Sequence, residues 1–299
     1  MARVTDIRYV GYGVPDLEAE RAFYRDKWGL REVGEHQGMW HFAAEGSREL
    51  YCVRLRGSPE ARIDVIALAA SNRSDVDTLF ERVRAAGCKI IFEPRELATL
   101  GGGYGFRFFS ADGLPFEISS DVEAGEARAL QRGEALPERI SHVVLHSPDH
   151  QAAAKFFVDV LGFKVSDWLG DFMVFLRCNE WHHRVAILPG PPCLNHVAYD
   201  MTNLDEMMRG IAKLKRHKVD VKWGPGRHTA GNNTFSYFVT PNGFTVEYTA
   251  ELERVGEDWQ PTVYKPSHSI MDQWGIGTGG PQSLPRAQPD PGLFKAVEL

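Results

Sequence analysis

The sequence has little cysteine, no surplus of positive charge and no long apolar run. Its four cysteines, Cys52, Cys88, Cys178 and Cys193, stand far apart without CxxC spacing, so neither a zinc knuckle nor a disulfide framework is indicated. A net charge of −6 and a pI near 6.0, with no basic run, give no electrostatic reason to hold nucleic acid or an anionic membrane. No segment has the charged start and apolar middle of a signal peptide, and none approaches the roughly 20 apolar residues of a membrane span. The expectation is a cytoplasmic protein with neither nucleic-acid nor membrane partners. What is present is 299 residues, 43% hydrophobic and 25% charged, enough for two domains with real cores.

The chain repeats itself. Ile7 to Val33 and Ile140 to Ser166 each read as strand, helix, strand, and at an offset of 133 they share Ile7/Ile140, Val10/Val143, Pro15/Pro148, Asp16/Asp149, Ala19/Ala152, Phe23/Phe156, Asp26/Asp159 and Gly29/Gly162. The matches cluster at turn and helix-stop residues, as an internal duplication requires. Later segments correspond too: the strand-helix-strand from Arg62, with a cap near Ser74, follows the plan of that from Leu194, capped at Asn203. The hairpins from Gly105 and Thr234 turn on Asp-Gly and Asn-Gly. The pattern predicts an α+β chain of four tandem βαβββ modules, two per domain, as residues 1–125 and 139–250, joined by a linker from Ser120 to Glu138. Six of the 17 prolines fall between Pro261 and Pro291, so residues 251–299 are expected to lie over the body as an extended tail, a lid or a subunit contact.

With a repeat, one half serves as a control for the other. His142 stands where the first half has Tyr9, His196 where it has Val65, and Glu247 where it keeps Glu117. Each lies mid-strand on an alternating pattern, so if the modules curl into a trough all three point into it. Two neutral imidazoles and one carboxylate with open positions suit non-heme Fe(II). Nine of the eleven histidines lie from His142 onward, which locates the chemistry in the second half.

The patterns ISHVVLH at His142, LNHVAYD at His196, GPGRHTAGNNTFSYF at His228 and PNGFTVEY at Glu247 resemble those of the type I extradiol ring-cleavage dioxygenases, in the vicinal oxygen chelate superfamily. The resemblance covers about residues 5 to 250. It implies two curved-sheet, barrel-like domains, the first catalytically silent, with Fe(II), less often Mn(II), held by His142, His196 and Glu247. It places His183, or its neighbour His182, as the acid/base, and His228 with Tyr237 as a pair contacting the substrate; Ala230 and Gly231 stand where many relatives carry Asn and Asp. A catechol-type substrate, dioxygen and a homo-oligomer are implied. In the tail, Lys265 or His268 could meet a ring substituent. Alternatives are a hydroquinone- or gentisate-type ring-cleaving enzyme and a metal-free module of the bleomycin-resistance kind. A glyoxalase-like isomerase is expected to recruit four protein ligands.

Overall fold

Short capping signals set where each helix begins. Asp16 and Asp149 accept the Ala19 and Ala152 amides, and Asn72 and Asn203 accept those of Asp75 and Glu206. The cap expected near Ser74 is therefore Asn72, whose extended backbone lets its short amide side chain reach the third helical N–H. Helix α1 (Leu17–Ala22) gives way to a π-helical turn, Phe23–Trp28, that stops at Gly29, where φ is +95° and a side chain would be strained.

The computed structural model describes residues 2–265 and 267–297; the His268 side chain named above lies outside that description. In the first half β1 (Val4–Val14), α1, β2 (Arg31–His36), β3 (Met39–Ala43) and β4 (Val53–Gly57) form one module. The next is β5 (Arg62–Ala70), α2 (Arg73–Ala85), β6 (Lys89–Glu96), β7 (Tyr104–Phe109) and β8 (Pro115–Ser120). The second half repeats this as β9 (Pro137–Ser147), α3 (His150–Asp159), β10 (Lys164–Leu169), β11 (Met173–Arg177) and β12 (Val185–Pro189), then β13 (Cys193–Met201), α4 (Leu204–Arg216), β14 (Trp223–Arg227), β15 (Thr234–Val239) and β16 (Thr245–Ala250). The predicted order of elements holds in all four modules, and the fold class is the α+β, curved-sheet architecture expected.

Each half is one mixed sheet. The first runs β2-β3-β4-β1-β5-β8-β7-β6. The second has the same order, β10-β11-β12-β9-β13-β16-β15-β14, with one tail strand added at each outer edge: β17 (Thr262–Tyr264) beside β10 and β18 (Thr278–Gly279) beside β14. One sheet face packs on the helices, and the two halves share a core. Trp28 crosses from the first half to stack on Tyr248 at 3.9 Å between ring centroids, and the Tyr248 hydroxyl donates to the Trp28 carbonyl at 2.5 Å. Among the described residues the tail adds only short pieces, including α5 (His268–Met271). No described helix is long and apolar enough to cross a membrane.

Candidate metal centre and its pocket

Strand register brings the three candidate ligands onto one face. Antiparallel β9 and β13 pair His142 with Ala198, and parallel β13 and β16 pair Ala198 with Glu247. His142 and Glu247 thus flank Ala198 on the surface that His196, two residues away along β13, also faces. Their ligand atoms all lie within 4.8 Å of one another. His142 Nε2 and His196 Nε2 are 3.4 and 3.0 Å from Glu247 Oε2, yet His196 Nε2 and both Glu247 oxygens are buried without a partner in hydrogen-bond geometry. Lone pairs aimed at a common point give this pattern. Two buried imidazoles and a carboxylate with converging ligand atoms, those of His196 and Glu247 left without partners, fit a divalent metal.

The electrostatics agree. Burial alone would raise the Glu247 carboxyl, but His142 and His196 hold it well below the usual carboxylate range. Burial lowers His196, favouring the neutral ring a metal requires. Asn195 orients that ring: its Oδ1 lies 2.6 Å from His196 Nδ1, and its Nδ2 lies 2.8 Å from His146 Nε2, whose own Nδ1 meets the Pro189 carbonyl at 3.1 Å.

His183 lies beside the centre, its ring centroid 4.3 Å from that of His142, and burial pushes it well below the ordinary imidazole value. His182 points away from the cavity, toward Asp167 at 2.7 Å. Of the two neighbouring histidines it is His183 that lines the pocket. His228 Nδ1 lies 2.6 Å from the Met271 carbonyl, so it carries the proton, and Nε2 accepts from the Tyr237 hydroxyl at 3.1 Å. Tyr237 sits opposite Glu247 in the β15–β16 ladder and packs edge-on against the His196 ring.

These groups open on a cavity of about 510 Å³. Its walls are largely apolar, with Val144, Leu169, Met173, Phe175, Leu188 and Ile270 among them, and Ala230 adds a methyl group to the lining. The tail closes one side with Pro281, Gln282 and Leu284 to Ala287, so the tail contributes to the pocket through this later stretch. Lys265 is exposed and away from the lining, whereas Arg286, which the sequence did not single out, is the cationic side chain at the cavity. Sequence reasoning also missed Asn195, His146 and Asp167. The signal for Asp167 was present as an acid inside the apolar-alternating strand KVSDWL.

The first half repeats the register with different side chains. Tyr9 pairs with Ala67 and Ala67 with Glu117, as His142 pairs with Ala198 and Ala198 with Glu247. Arg107 pairs with Glu117 as Tyr237 does with Glu247, and donates to it from Nε at 2.7 Å, while the Tyr9 hydroxyl donates to the other Glu117 oxygen at 3.2 Å. Arg54, opposite Gly11, holds the place that Ala186, opposite Val144, has in the second half.

The two halves match one family model, that of the Glyoxalase/Bleomycin resistance protein/Dioxygenase superfamily, at residues 6–118 and 139–248. A solved structure described as a Mn(II)-bound glyoxalase from Novosphingobium aromaticivorans is 65% identical over 99% of both chains, with a TM-score of 0.98. Among curated proteins, the chain is 26% identical to a manganese-dependent 2,3-dihydroxybiphenyl 1,2-dioxygenase of Geobacillus genomosp. 3, covering 95% of this chain and 96% of that one. It is 25% identical to metapyrocatechase 2 of Cupriavidus necator, over 91% and 89%.

Proposed function

The chain belongs to the glyoxalase/bleomycin resistance protein/dioxygenase superfamily, and from that premise we propose that it is an extradiol dioxygenase that opens a catechol-type ring beside its two hydroxyls. The observation that carries this reading is a three-ligand set with no fourth ligand among the described residues. Strand β12 lies against β9 as β16 lies against β13, so Ala186 opposite Val144 is the repeat-equivalent of Glu247 opposite Ala198. A methyl group there leaves room for substrate. An isomerase of the same fold, the reading favoured by the description of the Novosphingobium structure, is expected to use four protein ligands.

His142, His196 and Glu247 would hold a divalent ion, Fe(II) or Mn(II). When bound, the ion supplies a template for catechol and dioxygen and favours ionisation of the catechol. His183, neutral at physiological pH, accepts a proton from the substrate hydroxyl and returns it to the product. Tyr237, linked to His228, presents its hydroxyl to the substrate oxygens. The apolar walls exclude water and select an aromatic or alkyl ring substituent, and Arg286 in the lining offers a partner to a carboxylate on it. A soluble homo-oligomer in the cytoplasm belongs to the same proposal, its assembly read by light scattering.

The test is oxygen uptake by protein purified without air and loaded with Fe(II) or with Mn(II), across substituted catechols and hydroquinones. A yellow ring-opened semialdehyde, formed with equimolar oxygen uptake, is the expected result. Hydroquinones consumed in preference to catechols would move the reading to the gentisate-type reaction. No uptake with either class, together with isomerisation of a thiol hemiacetal, would overturn it.

A further inference from the structure

The acid/base histidine is the outer end of a buried chain of three side chains. Asp167 on β10 and the adjacent pair His182 and His183 ahead of β12 are each no more than 3% exposed. His182 Nε2 lies 2.7 Å from Asp167 Oδ2, and His182 Nδ1 lies 3.0 Å from His183 Nδ1. Asp167 Oδ1 accepts the Thr262 amide at 2.7 Å, so the acid accepts at both oxygens. Trp259 and Phe175 pack edge-on or tilted against His182, which keeps water from the chain.

Proton bookkeeping fixes the direction. A carboxylate gives no proton, so His182 carries one on Nε2. With one proton on each ring, His182 offers a lone pair at Nδ1, and the 3.0 Å contact is then a hydrogen bond only if His183 holds its proton on Nδ1. That leaves the Nε2 lone pair of His183 free, and among the described residues no protein group bonds to it. The repeat supplies a control. Tyr51 occupies the His183 position in the first half, Leu50 that of His182 and Gly34 that of Asp167, so the whole chain of three is confined to the half that holds the metal ligands.

We propose that Asp167 and His182 are positioning residues that lock His183 in the tautomer whose Nε2 lone pair faces the substrate, an inference that rests on the ring-cleavage reading. When a catechol O–H bond breaks, its proton goes to His183 Nε2; the resulting imidazolium keeps its Nδ1–H on His182, and the Asp167 carboxylate supplies the opposing charge. The same proton leaves from Nε2 to the product. No oxidant or reductant enters this exchange.

Asp167→Asn tests it, because an amide donating to His182 Nε2 reverses every hydrogen bond in the chain and moves the His183 proton onto the catalytic nitrogen. The expected result is a fall in kcat of about 100-fold or more, in the range of general acid–base catalysis, with KM and bound metal unchanged. Thr262→Pro removes the other hydrogen bond to Asp167 without touching His182, and should stay within about threefold of the parent, since a proline is tolerated at the start of an edge strand. Long-range proton–nitrogen NMR of histidine-labelled full chain, loaded with diamagnetic Zn(II), reads the tautomer directly: His183 protonated on Nδ1 in the parent and on Nε2 in Asp167→Asn. A parent that turns over catechols but has His183 protonated on Nε2 would overturn the inference, as would Asp167→Asn at parental kcat or Thr262→Pro falling as far as Asp167→Asn. A parent inactive on every catechol refutes instead the ring-cleavage reading on which it rests.

Discussion

The two halves of this molecule bury the same glutamate in the same register and neutralise it in opposite ways. Glu117 is met by fixed cations: Arg107 from the neighbouring strand, with Arg54 close by on the far side of Tyr9. Glu247 is met by two imidazoles, and where the first half has Arg54 and Arg107 the second has Ala186 and Tyr237. The space follows the charge, with a cavity of about 510 Å³ beside Glu247 and about 10 Å³ beside Glu117, room for one water at most. A buried carboxylate needs a counter-charge wherever it sits. If that charge is a guanidinium the site is finished on folding; if it is left to a metal, the site stays open to chemistry.

The comparison can be broken at several points. The largest effect is expected for His196→Ala, which should lose bound metal by elemental analysis and bring oxygen uptake to background, while the corresponding Val65→Ala leaves both intact. In the first half, Glu117→Gln strands Arg107 in the core and should cost about 3–5 kcal/mol in denaturant unfolding without changing metal content. Replacing Arg107 and Glu117 together by Met and Leu should cost far less, because no charge is then stranded. Asn195→Ala removes the acceptor that orients His196 and should weaken metal affinity by about 10- to 100-fold in competition with a chelator.

The smallest effect per group is a pH difference between the halves. Burial holds His146, His183, His196 and His228 below the ordinary value of 6.5 in the second half, and His41 at about 4 in the first. The unfolded chain takes up protons that these folded rings refuse, so stability is lost as pH falls through 6.5, by about 1 kcal/mol per ring over the first unit. In metal-free protein, hydrogen exchange between pH 7.5 and 5.5 should therefore accelerate in the second half more than in the first. Equal acceleration would mean the histidines are not what separates them.

The parts legible in the sequence were those written in local spacing. Alternation placed His142, His196 and Glu247 on inward faces, caps and stops delimited the modules, and the offset of 133 supplied the control half. What stayed hidden depends on contacts between distant residues. Nothing near His182 announces that Asp167 will lie against it, because β10 reaches it only through the sheet order. The filling of the first-half site was equally hidden, since Arg54 and Arg107 read as ordinary strand charges until the register set them around Tyr9 and Glu117. The tail misled for a third reason. Its wall residues, Pro281 to Ala287, have no periodicity and are placed by anchors beyond them.

Most of those anchors lie on the half without the ligands, although Asp290 also donates its amide to the Pro192 carbonyl of the second half at 2.9 Å. Asp290 accepts the Ile63 amide at 3.0 Å, Phe294 donates to the Gly113 carbonyl at 2.9 Å and packs on Phe109, and Arg62 bonds the Lys295 carbonyl. The stretch that walls the second-half cavity is thus held in part by the first. The half without the ligand set works as a buttress for its sister: cutting it away would be expected to loosen the wall of a pocket it does not itself contain.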